Sequence, residues 1–150
     1  MEKKVIRAAL LGFGTVGTGV YKVLEKQKEE MIPKLGSQLE ISKILVRNLQ
    51  KAASKVKNPE ILTNNWDDIV NDPEIDIVIE LIGGIEPART YILQALEAGK
   101  NVVTANKDLV AEYGGELLDT AAEKGVDFLF EAAVGGGIPI IRPMKQCLAV

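Results

Sequence analysis

Val5-Ile-Arg-Ala-Ala-Leu-Leu11 runs directly into Gly12-Phe13-Gly14-Thr15-Val16-Gly17, and helix-forming residues with apolar positions at helical spacing follow. A strand, a glycine turn and a helix in that order put backbone N–H groups at a helix N-terminus where they can hold a diphosphate. The first glycine permits the tight turn, the second lets the backbone approach phosphate, and the third lets the helix pack closely on the strand. The same glycine spacing away from a strand–helix junction is weak evidence, and a turn with no ligand is the alternative reading.

Working outward from this turn, strand and helix signals alternate along the chain. They predict an α/β fold of the Rossmann type, a doubly wound, mainly parallel sheet with helices on both faces. The first helix is expected over Thr15–Glu30, with Val16, Val20, Val23 and Leu24 on its apolar face, and Pro33 and Gly36 end that excursion. Leu39–Val46 reads as a second strand, and Asn48–Lys57 as a short helix or a mobile loop. Ile61-Leu62 reads as a short third strand before a small helix, Trp66–Val70, which Asn64 or Asn65 caps. Ile75–Ile82 is almost continuously apolar, as expected of a strand covered on both faces. Gly83-Gly84 breaks it, and Pro87 opens a helix that Gly99 stops. A strand at Asn101–Ala105, a helix at Leu109–Lys124 interrupted near Gly114-Gly115, and a sixth strand at Val126–Ala133 complete the alternation. Ile138–Val150 reads as the start of a further helix. Residues 1–150 are therefore expected to form one dinucleotide-binding domain of a longer protein, with a substrate domain after Val150. A small stand-alone binding protein is the alternative.

Composition narrows the function classes. Hydrophobic residues make up 47% and charged residues 26%, ordinary values for a soluble globular protein. A net charge of −3 gives no broad electrostatic case for binding nucleic acid or an anionic membrane. No apolar stretch approaches the roughly 20 residues of a membrane-spanning helix. The N-terminus does not read as a signal peptide, and a cytoplasmic, reducing setting is the default expectation. With one cysteine, Cys147, and no histidine, an internal disulfide is excluded and a structural zinc site is disfavoured. Acid–base chemistry on this chain falls to Lys, Asp, Glu, Tyr or Cys.

Four further positions carry candidate chemistry. Where NAD is bound, an acidic residue at the carboxyl end of the second strand holds the ribose 2′-hydroxyl. Here that end reads Val46-Arg47-Asn48, and Glu40 lies at the opposite end. Arg47 suits a 2′-phosphate and so favours NADP, helped by Lys51 or a basic residue between Lys55 and Lys57, with NAD use left open. A solvated surface arginine is the alternative. Gly83-Gly84 would let a ribose or nicotinamide approach, or form an ordinary turn. Lys107, in Thr104-Ala-Asn-Lys107, can contact the nicotinamide end or a substrate oxygen and, where burial lowers its pKa, move a proton; the alternative is a surface lysine opening a helix. The loop Glu131–Ile138 combines one carboxylate with glycine-rich backbone and suits a hard cation, though a strand-to-helix turn explains it nearly as well. Cys147 reads as a packed thiol, and Trp66 and the tyrosines are too scattered to form a stacking platform for bases.

Taken together, Leu11–Gly17, Val78-Ile-Glu-Leu-Ile-Gly-Gly84, Val103-Thr-Ala-Asn-Lys-Asp108 and Phe130-Glu-Ala-Ala-Val-Gly-Gly-Gly-Ile-Pro139 resemble the N-terminal domain of homoserine dehydrogenases across nearly all of the chain. The resemblance implies NAD(P)H-dependent reduction of L-aspartate 4-semialdehyde to L-homoserine, in threonine and methionine biosynthesis. It implies coenzyme contacts from Phe13, Thr15 and Val16 beside Gly12, Gly14 and Gly17, a 2′-phosphate contact from Arg47, and Lys107 as catalytic and coenzyme-binding residue. It also implies a monovalent-cation site (Na+ or K+) at Glu131, Val134, Gly136 and Ile138, and a homo-oligomer for the full-length protein. The second catalytic lysine and the substrate-gripping residues are expected beyond this chain. Two rivals are a non-catalytic NAD(P)-binding regulatory domain and another oxidoreductase of this fold, such as an aspartate-semialdehyde dehydrogenase, which would need a nucleophilic cysteine.

Overall fold

A computed structural model describes residues 5–29 and 36–131. Six parallel strands form one sheet in the spatial order β3-β2-β1-β4-β5-β6. They are β1 (Val5–Leu11), β2 (Gln38–Leu45), β3 (Leu62–Thr63), β4 (Ile77–Glu80), β5 (Asn101–Thr104) and β6 (Phe128–Phe130). The helices are α1 (Thr15–Lys26), α2 (Leu49–Ala53), α3 (Asp67–Val70), α4 (Ala88–Glu97) and α5 (Lys107–Lys124). The expected Rossmann-type sheet is therefore present, and strand order reverses between β1 and β4.

Two apolar cores lie on opposite faces of this sheet. Ile6, Ala8 and Leu10 of β1 point with Ile77 and Ile79 toward Val20, Tyr21 and Leu24 of α1. Ala9, Leu11 and Val78 point the other way, toward Ile92 and Leu96 of α4 and Leu109 and Leu117 of α5. Ile77, Val78 and Ile79 are all fully buried, the physical reason for the unbroken apolar run read in the sequence. The ladder itself is shorter than Ile75–Ile82, ending at Glu80. At the other end of the sheet, Glu40 pairs with Arg7 at 3.2 Å, well away from the strand ends that carry the site.

Several expected elements shift. The Asn48–Lys57 stretch holds the short helix α2, whose N-terminus is capped by Asn48 accepting from the Lys51 amide at 3.0 Å. Asn65, of the two asparagines considered, receives the Asp67 amide at 3.0 Å ahead of α3. On α1 the buried stripe is Gly17, Val20, Tyr21 and Leu24, while Val16 is 44% exposed. Close packing at Gly17 turns that stripe inward and leaves Val16 and Val23 on its flanks. α1 ends at Lys26 and a turn at Gln27 precedes helical Lys28 and Glu29, while Glu30 lies outside the described residues. Nor does Gly114-Gly115 interrupt α5, which runs unbroken from Lys107 to Lys124. Each glycine costs a helix roughly 1 kcal/mol. Buried Leu109, Leu117 and Ala121, an Asn106 cap and a left-handed Gly125 at the other end offset that cost. The region expected as Val126–Ala133 is a strand over Phe128–Phe130, while Ala132, Ala133, the Ile138–Val150 helix and Cys147 lie outside the described residues.

The contact that seats α1 is testable by stability. A Cβ at Gly17 would lie 2.2 Å from the Gly12 carbonyl oxygen. Gly17→Ala is expected to lower unfolding free energy by about 1–3 kcal/mol, the range for overpacking, read by denaturant titration. A loss under about 0.5 kcal/mol would show that this contact does not hold the helix in place.

Candidate functional site

The glycine turn separates into two kinds of position. Gly12 has φ +102°, and a Cβ there would lie 3.0 Å from the Leu81 carbonyl oxygen and 3.2 Å from the Ile82 nitrogen. Gly17 is pressed against Gly12 in turn. The protein's own backbone thus accounts for the first and third glycines. It does not account for Gly14, where a Cβ would meet nothing of the described residues within 4 Å. Gly14 is exposed and occupies the N-cap position of α1, which has no side-chain cap and no acidic residue in its first turn. The free N–H groups and positive dipole end of a twelve-residue helix therefore open onto solvent at the residue that has no side chain. A diphosphate fits there, and a side chain would occupy its space.

A cleft of about 800 Å³ lies over this turn at the strand-order reversal, where ligands of open α/β sheets bind. Gly12, Phe13 and Gly14 form part of its lining, with Arg47, Lys51 and Lys55 contributed by the segment after β2. Phe13 is buried edge-on against Tyr21, with ring centroids 5.7 Å apart, and Lys55 Nζ lies 5.9 Å from its ring centroid. From the β4 side the lining residues are Leu81, Ile82, Pro87 and Tyr91. Tyr91 stacks on Trp66 at 4.6 Å and 24°, and Trp66 Nε1 donates to Gln94 Oε1 at 2.6 Å. Residues scattered in sequence thus meet, as a buttress behind the cleft. Glu86, just ahead of α4, accepts from the Thr90 hydroxyl at 2.7 Å, which holds its carboxyl below the ordinary carboxylate range.

Sequence reasoning passed over Glu80. It is fully buried at the carboxyl end of β4, in register with Thr104 on β5. One carboxyl oxygen accepts from the Thr104 hydroxyl at 2.5 Å; the other accepts from the Ile82 and Gly83 amides at 2.8 and 3.1 Å. Thr104 Oγ1 also accepts from the Asn106 amide at 3.0 Å, and Asn106 Nδ2 donates to the Gly84 carbonyl at 2.5 Å. Asn106 Oδ1 caps α5 by accepting from Leu109 at 3.2 Å. The signal was present: Glu80 is an acidic residue directly after the apolar Ile77–Ile79 stretch. Periodicity reports only that the strand is buried, and the partners that make the charge tolerable are 24 residues away in the Thr104 case.

Of the residues singled out earlier, Gly12, Phe13, Gly14 and Arg47 share the cleft lining. Thr15 and Val16 are exposed in the first turn of α1, and Gly17 is buried behind it. Arg47 is exposed. Lys107 is also exposed, at the first position of α5 and outside the cleft lining, and the described residues do not bury it. Glu131 is half-buried, its amide donating to the Thr104 carbonyl at 3.0 Å. Val134, Gly136 and Ile138 lie outside the described residues, and among those described no cluster of three or more His, Cys, Asp or Glu could hold a metal ion.

Residues 12–131 match the family described as homoserine dehydrogenase, NAD binding domain. The chain belongs to that family. It is 46% identical over 146 residues to the homoserine dehydrogenase of Bacillus subtilis (strain 168), covering 97% of this chain and 34% of the relative. It is 48% identical over 143 residues to that of Synechocystis, covering 95% and 33%. The crystal structure of a homoserine dehydrogenase from Thiobacillus denitrificans aligns with a TM-score of 0.82 at 51% identity, over 87% of this chain and 30% of that one. The chain thus spans about a third of the length of the curated relatives it matches. As a homoserine dehydrogenase NAD-binding domain, it has a nicotinamide dinucleotide as its ligand class. Among the described residues no helix is long and apolar enough to cross a membrane.

Gly14 separates ligand space from protein space by experiment. Gly14→Ala is expected to change unfolding free energy by less than about 1 kcal/mol, since no atom of the described residues stands where the methyl goes. NADPH binding, read by titration calorimetry, is expected to weaken at least about tenfold, or 1.4 kcal/mol. Unchanged binding would move the diphosphate away from this turn.

Proposed function

We propose that this chain is the coenzyme-binding part of a homoserine dehydrogenase that reduces L-aspartate 4-semialdehyde to L-homoserine with NADPH in preference to NADH. The observation that carries the reading is the empty approach to Gly14 at the N-terminus of α1, opening into a cleft with cationic residues to one side. Bound there, the coenzyme would supply hydride from C4 of its nicotinamide to the aldehyde carbon.

The chain's own residues divide the remaining work. The amides at the start of α1 hold the diphosphate by hydrogen bonds and dipole. Arg47 presents a planar guanidinium at the carboxyl end of β2, where a carboxylate would repel a 2′-phosphate, and Lys51 and Lys55 add positive charge to the same lining. Lys107, first residue of α5 and next to the buried Asn106 cap, donates a proton to the alkoxide oxygen directly or through water. The residues that grip the amino and carboxylate groups of the substrate are expected in the part of the protein that its longer relatives possess. The family resemblance further implies a monovalent cation at Glu131 and a homo-oligomer for the full-length protein.

Two measurements test the assignment. Arg47→Ala is expected to weaken NADPH binding by about 1.5–3 kcal/mol, the range for a hydrogen bond to a charged group, while NADH binding changes less than about twofold. Equal losses for both coenzymes would remove the 2′-phosphate role. In the intact protein, Lys107→Ala is expected to lower kcat by about 10²–10⁴-fold, the range for a lost acid–base group. Unchanged turnover would support a binding domain in which Lys107 has no chemical role.

A further inference from the structure

Glu80 is a fully buried carboxyl whose three donors among the described residues are all neutral. Burying such a group without a cation is costly, so a purely structural link between β4 and β5 would be made at lower cost by an apolar pair. The donor geometry explains the residue type. The Ile82 and Gly83 amides converge on one oxygen and the Thr104 hydroxyl on the other, so both side-chain oxygens accept. Glutamine has one acceptor oxygen and cannot serve both sites.

What this network fixes lies around the cleft. Leu81 and Ile82 line it, and their backbone is also the surface against which Gly12 is pressed. Thr104 passes the constraint to Asn106, which holds Gly84 with its amide and the start of α5, and so Lys107, with its carbonyl oxygen. The Thr104 carbonyl also receives the Glu131 amide. One buried carboxyl therefore ties together the turns after β4 and β5. With the 2′-phosphate on the β2 side and the diphosphate over Gly14, these turns face the reacting half of the coenzyme.

We propose that Glu80, acting through Thr104 and Asn106, is a positioning residue that holds the turns after β4 and β5 so that the nicotinamide half of the coenzyme and Lys107 meet in one fixed geometry. This rests on the coenzyme reading above. It requires that breaking the network damage hydride transfer while leaving adenosine-half binding intact.

The test uses the intact protein, with L-homoserine and NADP+ for turnover and 2′,5′-ADP as a probe for the adenosine half. Thr104→Val, isosteric but without the hydroxyl, is expected to lower kcat at least tenfold while the Kd for 2′,5′-ADP stays within twofold. Thr104→Ser is expected to keep kcat within twofold. Glu80→Gln should repeat the valine pattern, and the double variant Glu80→Gln/Thr104→Val should lose little more than the worse single, because both cut one chain of bonds. Turnover unaffected by Thr104→Val, additive losses in the double variant, or 2′,5′-ADP binding that falls in step with kcat would each overturn the assignment while leaving the coenzyme reading in place. Failure of the unmutated protein to bind either NADPH or 2′,5′-ADP would overturn both together.

Discussion

The approach of Gly17 to the carbonyl oxygen of Gly12 sets the geometry on which the rest of the molecule depends. It brings α1 down onto the end of β1 at a distance no side chain permits, and it aims the helix N-terminus across the strand ends. The neighbouring strands hold that turn from both sides. Gly12 donates to the Leu45 carbonyl of β2 at 3.1 Å, and Leu81, just past β4, donates to the Leu11 carbonyl at 2.8 Å. Three strand exits are thereby fixed relative to one another, and the cleft is the space they leave above the turn.

The distribution of charge follows from this frame more than from the total. A chain with a net charge of −3 nevertheless lines its cleft with Arg47, Lys51 and Lys55, all carried by the short segment that follows β2. Negative charge enters from the other side of the reversal point, at Glu80, where it is buried and bound by main-chain amides and a hydroxyl. The cleft thus has exposed cations at one end and, at the other, a carboxyl whose hydrogen bonds are made within the protein. Whole-molecule charge describes colloidal behaviour and says little about such a local field.

Local patterns in the sequence were the ones that could be read. The strand over Val5–Leu11 appears with its expected bounds, and the apolar run around Ile77–Ile79 is buried on both faces. The glycine turn lies between them because a tight bend has few chemical solutions. Features that depend on distant partners were not legible. The continuity of α5 through Gly114-Gly115 depends on anchoring residues and caps at its two ends. Which face of α1 is buried was decided by the contact at Gly17, so Val16 turned outward despite its apolar character. Glu80 looked like one more letter in a strand, because the Thr104 hydroxyl that explains it belongs to another crossover. The folded chain brings Arg47 to the glycine turn as one cleft, whereas Lys107 stands at the head of the next helix, outside that lining.

The stacked pair behind the cleft has an optical consequence. Trp66 is the lone tryptophan of the chain, and the ring lying against it belongs to Tyr91, which also borders the cleft. Trp66 is 8% exposed and its indole is tethered through Gln94, so bulk solvent contributes little to its surroundings. A dihydronicotinamide absorbs in the region where indole emits, and energy passes between such partners across the width of a cleft. The domain therefore contains a built-in emitter whose intensity follows occupancy, with no label attached.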